Sequence, residues 1–247
     1  MTTAPPVLRT LPFGDCCLLL RFESDDAERN WVHAHSVSRK LGALSLEAVL
    51  SLYPAYDTVL VEYDPLRTDA GTLGAVIDLI VEGYGPDDEA WLTEASVFGV
   101  PVVFGGDRGP DLDAVASELD LSPSDLVETY CTHDFVVRCV AGHGGPMFDT
   151  APSVRGVARL STPRTRVERG TIMVGGDQFG VVSQPGPSGW RVIGQTSVTI
   201  LDPTGATPSA FGPGDVFRIM PMTEADWHTH DGRPLRRLDR AGTEVTG

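Results

Sequence analysis

From Phe135 onward, short apolar stretches follow one another with only glycine- and proline-rich turns between them. The stretches are residues 135–140, 171–174, 180–183, 190–193, 197–201 and 216–220. Strands this short and this closely spaced predict a closed or nearly closed β-barrel for the second part of the chain. The tail after His230 is polar and reads as loosely held.

The first part reads differently. Residues 16–22 form a compact apolar run after Gly14-Asp15 and predict a buried strand. From Asp25 to about Leu41 the pattern is helical: Trp31, His35, Ser38 and Leu41 recur at helix spacing, with Asp25 or Asp26 as cap. Residues 58–63 are β-branched and aromatic, and Asp64-Pro65 stops that strand. Residues 68–82 are amphipathic, with Leu73, Val76, Ile77 and Ile80 on one side. Residues 45–52 fit a strand or a short helix. Glycine, proline and charge over residues 83–89 interrupt the pattern, so a boundary is placed near Gly85. The reading is α+β: a small N-terminal α/β domain over 1–85, then a β-barrel domain over 86–247. The second domain opens with a strand at 96–104 and a helix at 110–119. A further helix starts at Ser122-Pro123, with serine as cap and proline in the first turn.

Composition narrows the function. Of 247 residues, 41% are apolar, enough for a sizeable core. Thirty-four acidic residues against 19 basic ones give a net charge of -15. That argues against wrapping a nucleic-acid backbone, which needs clustered Lys and Arg. It argues equally against an anionic membrane surface. No apolar stretch is long enough to span a bilayer, and the first residues carry no signal-peptide pattern. Cys16, Cys17, Cys131 and Cys139 fall in apolar contexts without metal-type spacing and read as reduced core thiols of a cytoplasmic protein.

Several motifs could carry chemistry. Gly105-Gly106-Asp107-Arg108-Gly109-Pro110-Asp111 joins a strand to a helix, as anion-binding loops do. It lacks the Lys-Ser/Thr ending of a P-loop, and its aspartates repel phosphate. The other reading is a tight turn with Asp capping the next helix. His143, between glycines at a strand exit, is placed for proton transfer or hydrogen bonding; the other reading is a mobile loop whose histidine is merely solvated. His33/His35 and His228/His230 lack the supporting ligands of a metal site, and no metal is expected. In Ser161-Thr162-Pro163-Arg164-Thr165-Arg166 two guanidiniums could clamp a carboxylate or phosphate. Gln178, after Gly175 and Gly176, could present its amide to the same space. The candidate catalytic residues are therefore His143, Arg164 and Gln178, and the candidate substrate-binding residues are Thr162, Arg166, Gly175 and Gly176. The other reading of the arginines is salt bridging across the barrel or to a partner. No Gly-x-Ser-x-Gly elbow and no zinc-protease helix occurs.

In order along the chain, these stretches resemble one family. It includes the 5-oxoprolinase B subunit, the first subunit of allophanate hydrolase and the KipI-type inhibitor of a sporulation histidine kinase. The resemblance rests on Phe13-Gly14-Asp15, Pro54-Ala55-Tyr56, Val61-Glu62-Tyr63-Asp64-Pro65 and Val100-Pro101-Val102. It continues through Phe104-Gly105-Gly106, Gly109-Pro110-Asp111-Leu112 and Thr162-Pro163-Arg164-Thr165-Arg166-Val167. It ends with Gly170, Gly176, Gln178, Gly180, Gly189-Trp190, Ile193-Gly194 and Pro213-Gly214-Asp215. The resemblance implies a cyclophilin-like barrel and a KipA-like partner, the C subunit of the family's complexes. With a third protein, resembling the A subunit, it implies an enzyme that opens 5-oxoproline to glutamate at the expense of ATP. The alternative it carries is a binding protein that restrains a histidine kinase. The chain departs from the family pattern at Ala141-Gly142-His143-Gly144-Gly145-Pro146-Met147-Phe148, at Asp177 and Phe179, and at Val182-Ser183. The aromatic wall of the implied pocket is thereby altered.

Overall fold

The computed structural model describes residues 5–141, 145–205, 208–239 and 241–245. Contacts divide the chain into two units, Met1–Glu94 and Ala95–Gly247. In the first unit, β1 (Val7–Pro12), β2 (Cys17–Glu23), β3 (Val49–Pro54) and β4 (Thr58–Tyr63) form an antiparallel sheet in the order β1-β2-β4-β3. Alternation decides the buried face: Leu18, Leu20 and Phe22 of β2 and Val59, Val61 and Tyr63 of β4 are all buried. They pack against Ala34, Val37 and Leu41 of α1 (Ala27–Leu44) and Leu73 and Ile77 of α2 (Ala70–Glu82). Each large apolar side chain among them contributes roughly 1.5–3 kcal/mol. Asp26 caps α1 by accepting the Arg29 N–H, and Asp69 caps α2 through the amides of Gly71 and Thr72. The undecided stretch at 45–52 resolves into a turn followed by β3.

The break in pattern near Gly85 marks the end of α2. The 3-10 segment that follows, Pro86–Glu94, stays with the first unit. Trp91 holds it there, donating to the Ser36 hydroxyl at 2.8 Å and meeting Trp31 edge-on. Lys40 adds an ion pair to Asp88 at 3.0 Å.

The second unit begins with β5 (Val97–Phe104), α3 (Leu112–Glu118) and α4 (Pro123–Thr132). Ser122 and Asp125 form a reciprocal capping box on α4, with Pro123 in the first turn. Then come β6 (Asp134–Val136), β7 (Cys139–Val140), β8 (Pro146–Asp149), β9 (Arg164–Val167), β10 (Thr171–Gly175), β11 (Gln178–Val181), β12 (Gly186–Ser188), β13 (Arg191–Gln195), β14 (Val216–Pro221), a helical turn α5 (Trp227–His230) and β15 (Arg236–Leu238). Nine of these strands form one sheet in the order β6-β14-β5-β13-β10-β11-β8-β7, with β15 also on β5; β9 and β12 form a separate ribbon. The β14–β5 pairing is parallel. Phe135, Phe148, Phe179 and Phe217 fill the core around Tyr130. The Phe148 and Phe179 rings stack at 4.6 Å.

Several expectations are corrected. The sheet is a curled, open path rather than a closed barrel. Its ends are β6 and β7, joined through Val137 and Arg138 as the chain leaves β14 and turns to β8: Val137 donates to the Asp215 carbonyl and Arg138 to that of Met147, both at 2.8 Å. The expected strand at 135–140 is split for this reason. Residues 197–201 form no strand, and the tail is tied back by β15 on β5. All four cysteines are free thiols, but only Cys139 is buried. Burial pushes the thiols of Cys131 and Cys139 up to about 11, away from the thiolate form. Among the described residues no helix is long and apolar enough to cross a membrane.

Candidate functional site

The motif 161–167 enters the β9–β12 ribbon, where Arg164 lies opposite Ser188 and Val167 opposite Gly186. The Arg164 guanidinium forks onto Asp111 at 2.8 and 2.9 Å. Asp111 also accepts the Val192 amide at 2.7 Å. Burial alone would raise this carboxyl; the Arg164 fork and the amide outweigh it and hold it below the ordinary range. Asp111 stands at the N-cap position of α3, yet its carboxylate makes no capping bond there. It pins the ribbon to β13 instead.

The loop 105–111 serves the same end. Gly105 donates to the Ile193 carbonyl, Gly109 to that of Gly105, and Asp111 to that of Val192. A Cβ on Gly109 would lie 2.1 Å from the Ile193 oxygen, so only glycine lets the loop lie this close to β13. Arg108 completes the clamp. It forks onto Glu224 at 2.9 and 3.2 Å, donates to Gln195 at 2.9 Å and stacks 3.5 Å from the centre of the Trp227 ring. The loop is a structural strap, with its one guanidinium and its buried carboxylate both engaged on this chain.

The other candidates separate into two groups. Thr162 and Arg166 are exposed on the ribbon, and Arg166 pairs with Glu168 at 2.7 Å. Gly175, Gly176 and Gln178 sit at the turn between β10 and β11. Gly175 faces the Trp190 ring, whose atoms would be about 3.0–3.2 Å from an added Cβ; packing explains this glycine. Gly176 has φ +63 and supplies the left-handed turn conformation. Gln178, half-buried, stands opposite Asp149 in the β11–β8 ladder. Among the described residues no hydrogen bond or ion pair joins the Arg164 group to the Gln178 group. His143 lies outside the described residues.

Beneath the ribbon lies a cavity of about 60 Å³ lined by Gly145, Met147, Val167, Met173, Val182 and Ser188, among others. Ser183 and Gln184 also line it, and the Ser188 hydroxyl lies 3.3 Å from the Met173 sulfur. Met147 and Val182, from two stretches where the resemblance drawn from the sequence weakens, both line this cavity. Sequence reasoning missed two further groups, Arg138 and Asp149, bonded at 2.9 Å. The one signal for them was a lone arginine inside the apolar run 135–140. No cluster of three or more His, Cys, Asp or Glu able to hold a metal occurs among the described residues.

This architecture defines a class. The chain belongs to the family of the carboxyltransferase domain, subdomain C and D, whose model matches residues 8–211. Its relatives include the 5-oxoprolinase B subunit of Bacillus subtilis, 26% identical over 88% of this chain and 94% of that protein. The protein of the same name from Escherichia coli is 35% identical over 139 residues, 56% of this chain and 64% of its own length. The Haemophilus influenzae one is 30% identical, over 57% of its length. The matched stretches thus span less than two thirds of these last two. Among solved structures, TTHA0988 superposes with a TM-score of 0.70 at 27% identity; the match covers 84% of this chain and 40% of that one. The urea carboxylase of Kluyveromyces lactis shares the fold over 93% of this chain and 24% of its own, with a TM-score of 0.74 at 15% identity.

Proposed function

We propose that this chain is a non-autonomous subunit of an ATP-dependent amidohydrolase complex, which opens 5-oxo-L-proline to L-glutamate together with a KipA-like partner (the C subunit) and a third protein resembling the A subunit. The observation that carries this reading is the near end-to-end match to the Bacillus subtilis 5-oxoprolinase B subunit. The state of the arginines supports non-autonomy. Arg164 is spent on Asp111, Arg166 on Glu168 and Arg108 on Glu224. No phosphate cradle forms among the described residues, so ATP is assigned to the rest of the complex and no step on this chain runs through it. Arg164 orders the ribbon over the cavity, and Thr162 and Arg166 lie on its exposed side for a partner or substrate to meet. Gln178 orients the amide and His143 moves a proton. The curled, open sheet is read as a cyclophilin-like half-barrel whose end strands, β6 and β7, follow one another in the chain. The free cysteines agree with a cytoplasmic setting.

The test is reconstitution. With the two partner proteins, this chain restores 5-oxoproline-dependent ATP hydrolysis; alone it shows none. Turnover by the chain alone sinks the proposal. So does loss of a sensor kinase's autophosphorylation with no turnover in any mixture.

A further inference from the structure

The open sheet has a seam. β6 pairs with β14, and β8 with β11 and β7, but among the described residues no ladder joins β6 to β8 although they are neighbours. Backbone groups at such an edge need partners. The Arg138 amide meets the Met147 carbonyl at 2.8 Å, and beyond that rung the two strands part around a pocket of about 190 Å³. This is about three times the volume of the cavity under the ribbon. It holds on the order of six waters at ~30 Å³ each, which suits a small organic molecule.

Its lining mixes the apolar Phe135, Val136, Ala151 and Pro152 with polar groups that are directional. The Arg138 side chain, 16% exposed, lines the wall beside the Asp149 carboxylate, with Nε donating to Oδ2 at 2.9 Å. Asp134, also on the wall, is fixed by a fork from Arg218 at 2.7 and 2.8 Å. Thr150 adds a hydroxyl, 3.3 Å from that of Tyr130. His133 Nδ1 lies 2.8 Å from the Thr129 carbonyl, which only accepts. Nδ1 therefore carries a proton there. Gln178 stands across the ladder from Asp149, so directly opposed side chains bring its carboxamide to the same edge.

The geometry points to the β6–β8 seam as a binding site for a small amide that shows its C=O and N–H on one edge. Arg138 donates to the carbonyl oxygen and Asp149 accepts from the N–H. Only a primary or cyclic amide offers both groups side by side; a trans secondary amide turns them to opposite edges. The proposal deepens the functional reading above and rests on it only in taking 5-oxoproline as one probe.

The experiment is a titration of the full chain, without partners, followed by amide NMR. Pyrrolidone and 5-oxoproline are expected to shift resonances of residues 133–138 and 149–152. N-methylacetamide, locked trans, is expected to bind at least ~tenfold more weakly. Asp149→Asn should weaken lactam binding by ~tenfold, while Met173→Leu in the other cavity leaves it unchanged. Equal binding of the trans amide, shifts elsewhere only, or full affinity in a folded Asp149→Asn protein would overturn the proposal. The comparison of amides on the unaltered protein decides the matter even where the variant fails to fold. Failure here leaves the place in the complex standing, and failed reconstitution leaves this site standing, because no partner enters the titration.

Discussion

Asp111 shows how a residue that looks like site chemistry can be fold chemistry. Its carboxylate is 11% exposed and holds three donors, so removing either partner leaves a poorly solvated charge. Asp111→Ala is expected to cost the second unit about 2 kcal/mol, less than a fully buried pair because Arg164 is 30% exposed. Thermal unfolding measures this. Arg164→Ala should fall nearly as far, and the double variant well short of the sum. The pH sign follows from the lowered carboxyl: this stability is present above the unfolded value near ~3.9 and is lost as pH falls through the folded one. Arg166→Ala, on an exposed pair, should leave the melting temperature unchanged. Gly109→Ala must push a Cβ into the Ile193 carbonyl and is expected to cost about 3 kcal/mol or more, read as lost folded yield.

At the scale of elements, the segment Pro86–Glu94 and α1 behave as one piece. His33 is buried in α1, stacked 4.3 Å from Tyr84, with Nδ1 3.0 Å from the Arg29 carbonyl. Burial holds its pKa below the ordinary value, so the ring folds neutral. The unfolded chain therefore binds more protons at mildly acid pH. The stability this lends the first unit is full above about 6.5 and declines as pH drops through the folded value. Melting curves between about pH 5 and 8 should show that decline, and His33→Gln should flatten it. Much of this level was legible. Asp26 and the Ser122-Pro123 start are local signals, and local signals survive in a single sequence. The split of 135–140 into β6 and β7 was not, because it is set by β14 and β8, both outside that short run. The same holds for the parallel β14–β5 pair and for β15, whose polar residues find a strand edge that composition does not reveal.

For the whole molecule, the glycines and arginines of the candidate site were visible as a pattern, but their reasons were not. Gly109 and Gly175 answer to close packing, and Arg164 answers to a carboxylate that lies earlier in the chain. A spacing pattern cannot separate an arginine that waits for a ligand from one already matched. Arg138 and Asp149 are brought together only by the turn of the chain across the open sheet, so nothing local announced the seam. Among the described residues, what remains for chemistry is small: a largely apolar cavity, a seam with polar groups and Gln178 beside it. On the proposed reading, such a chain works with others. Reconstituted with its two partner proteins, it should make ATP hydrolysis depend on 5-oxoproline, with no turnover when it is omitted or assayed by itself. An unchanged rate in its absence, or turnover by this chain unaided, would contradict the account.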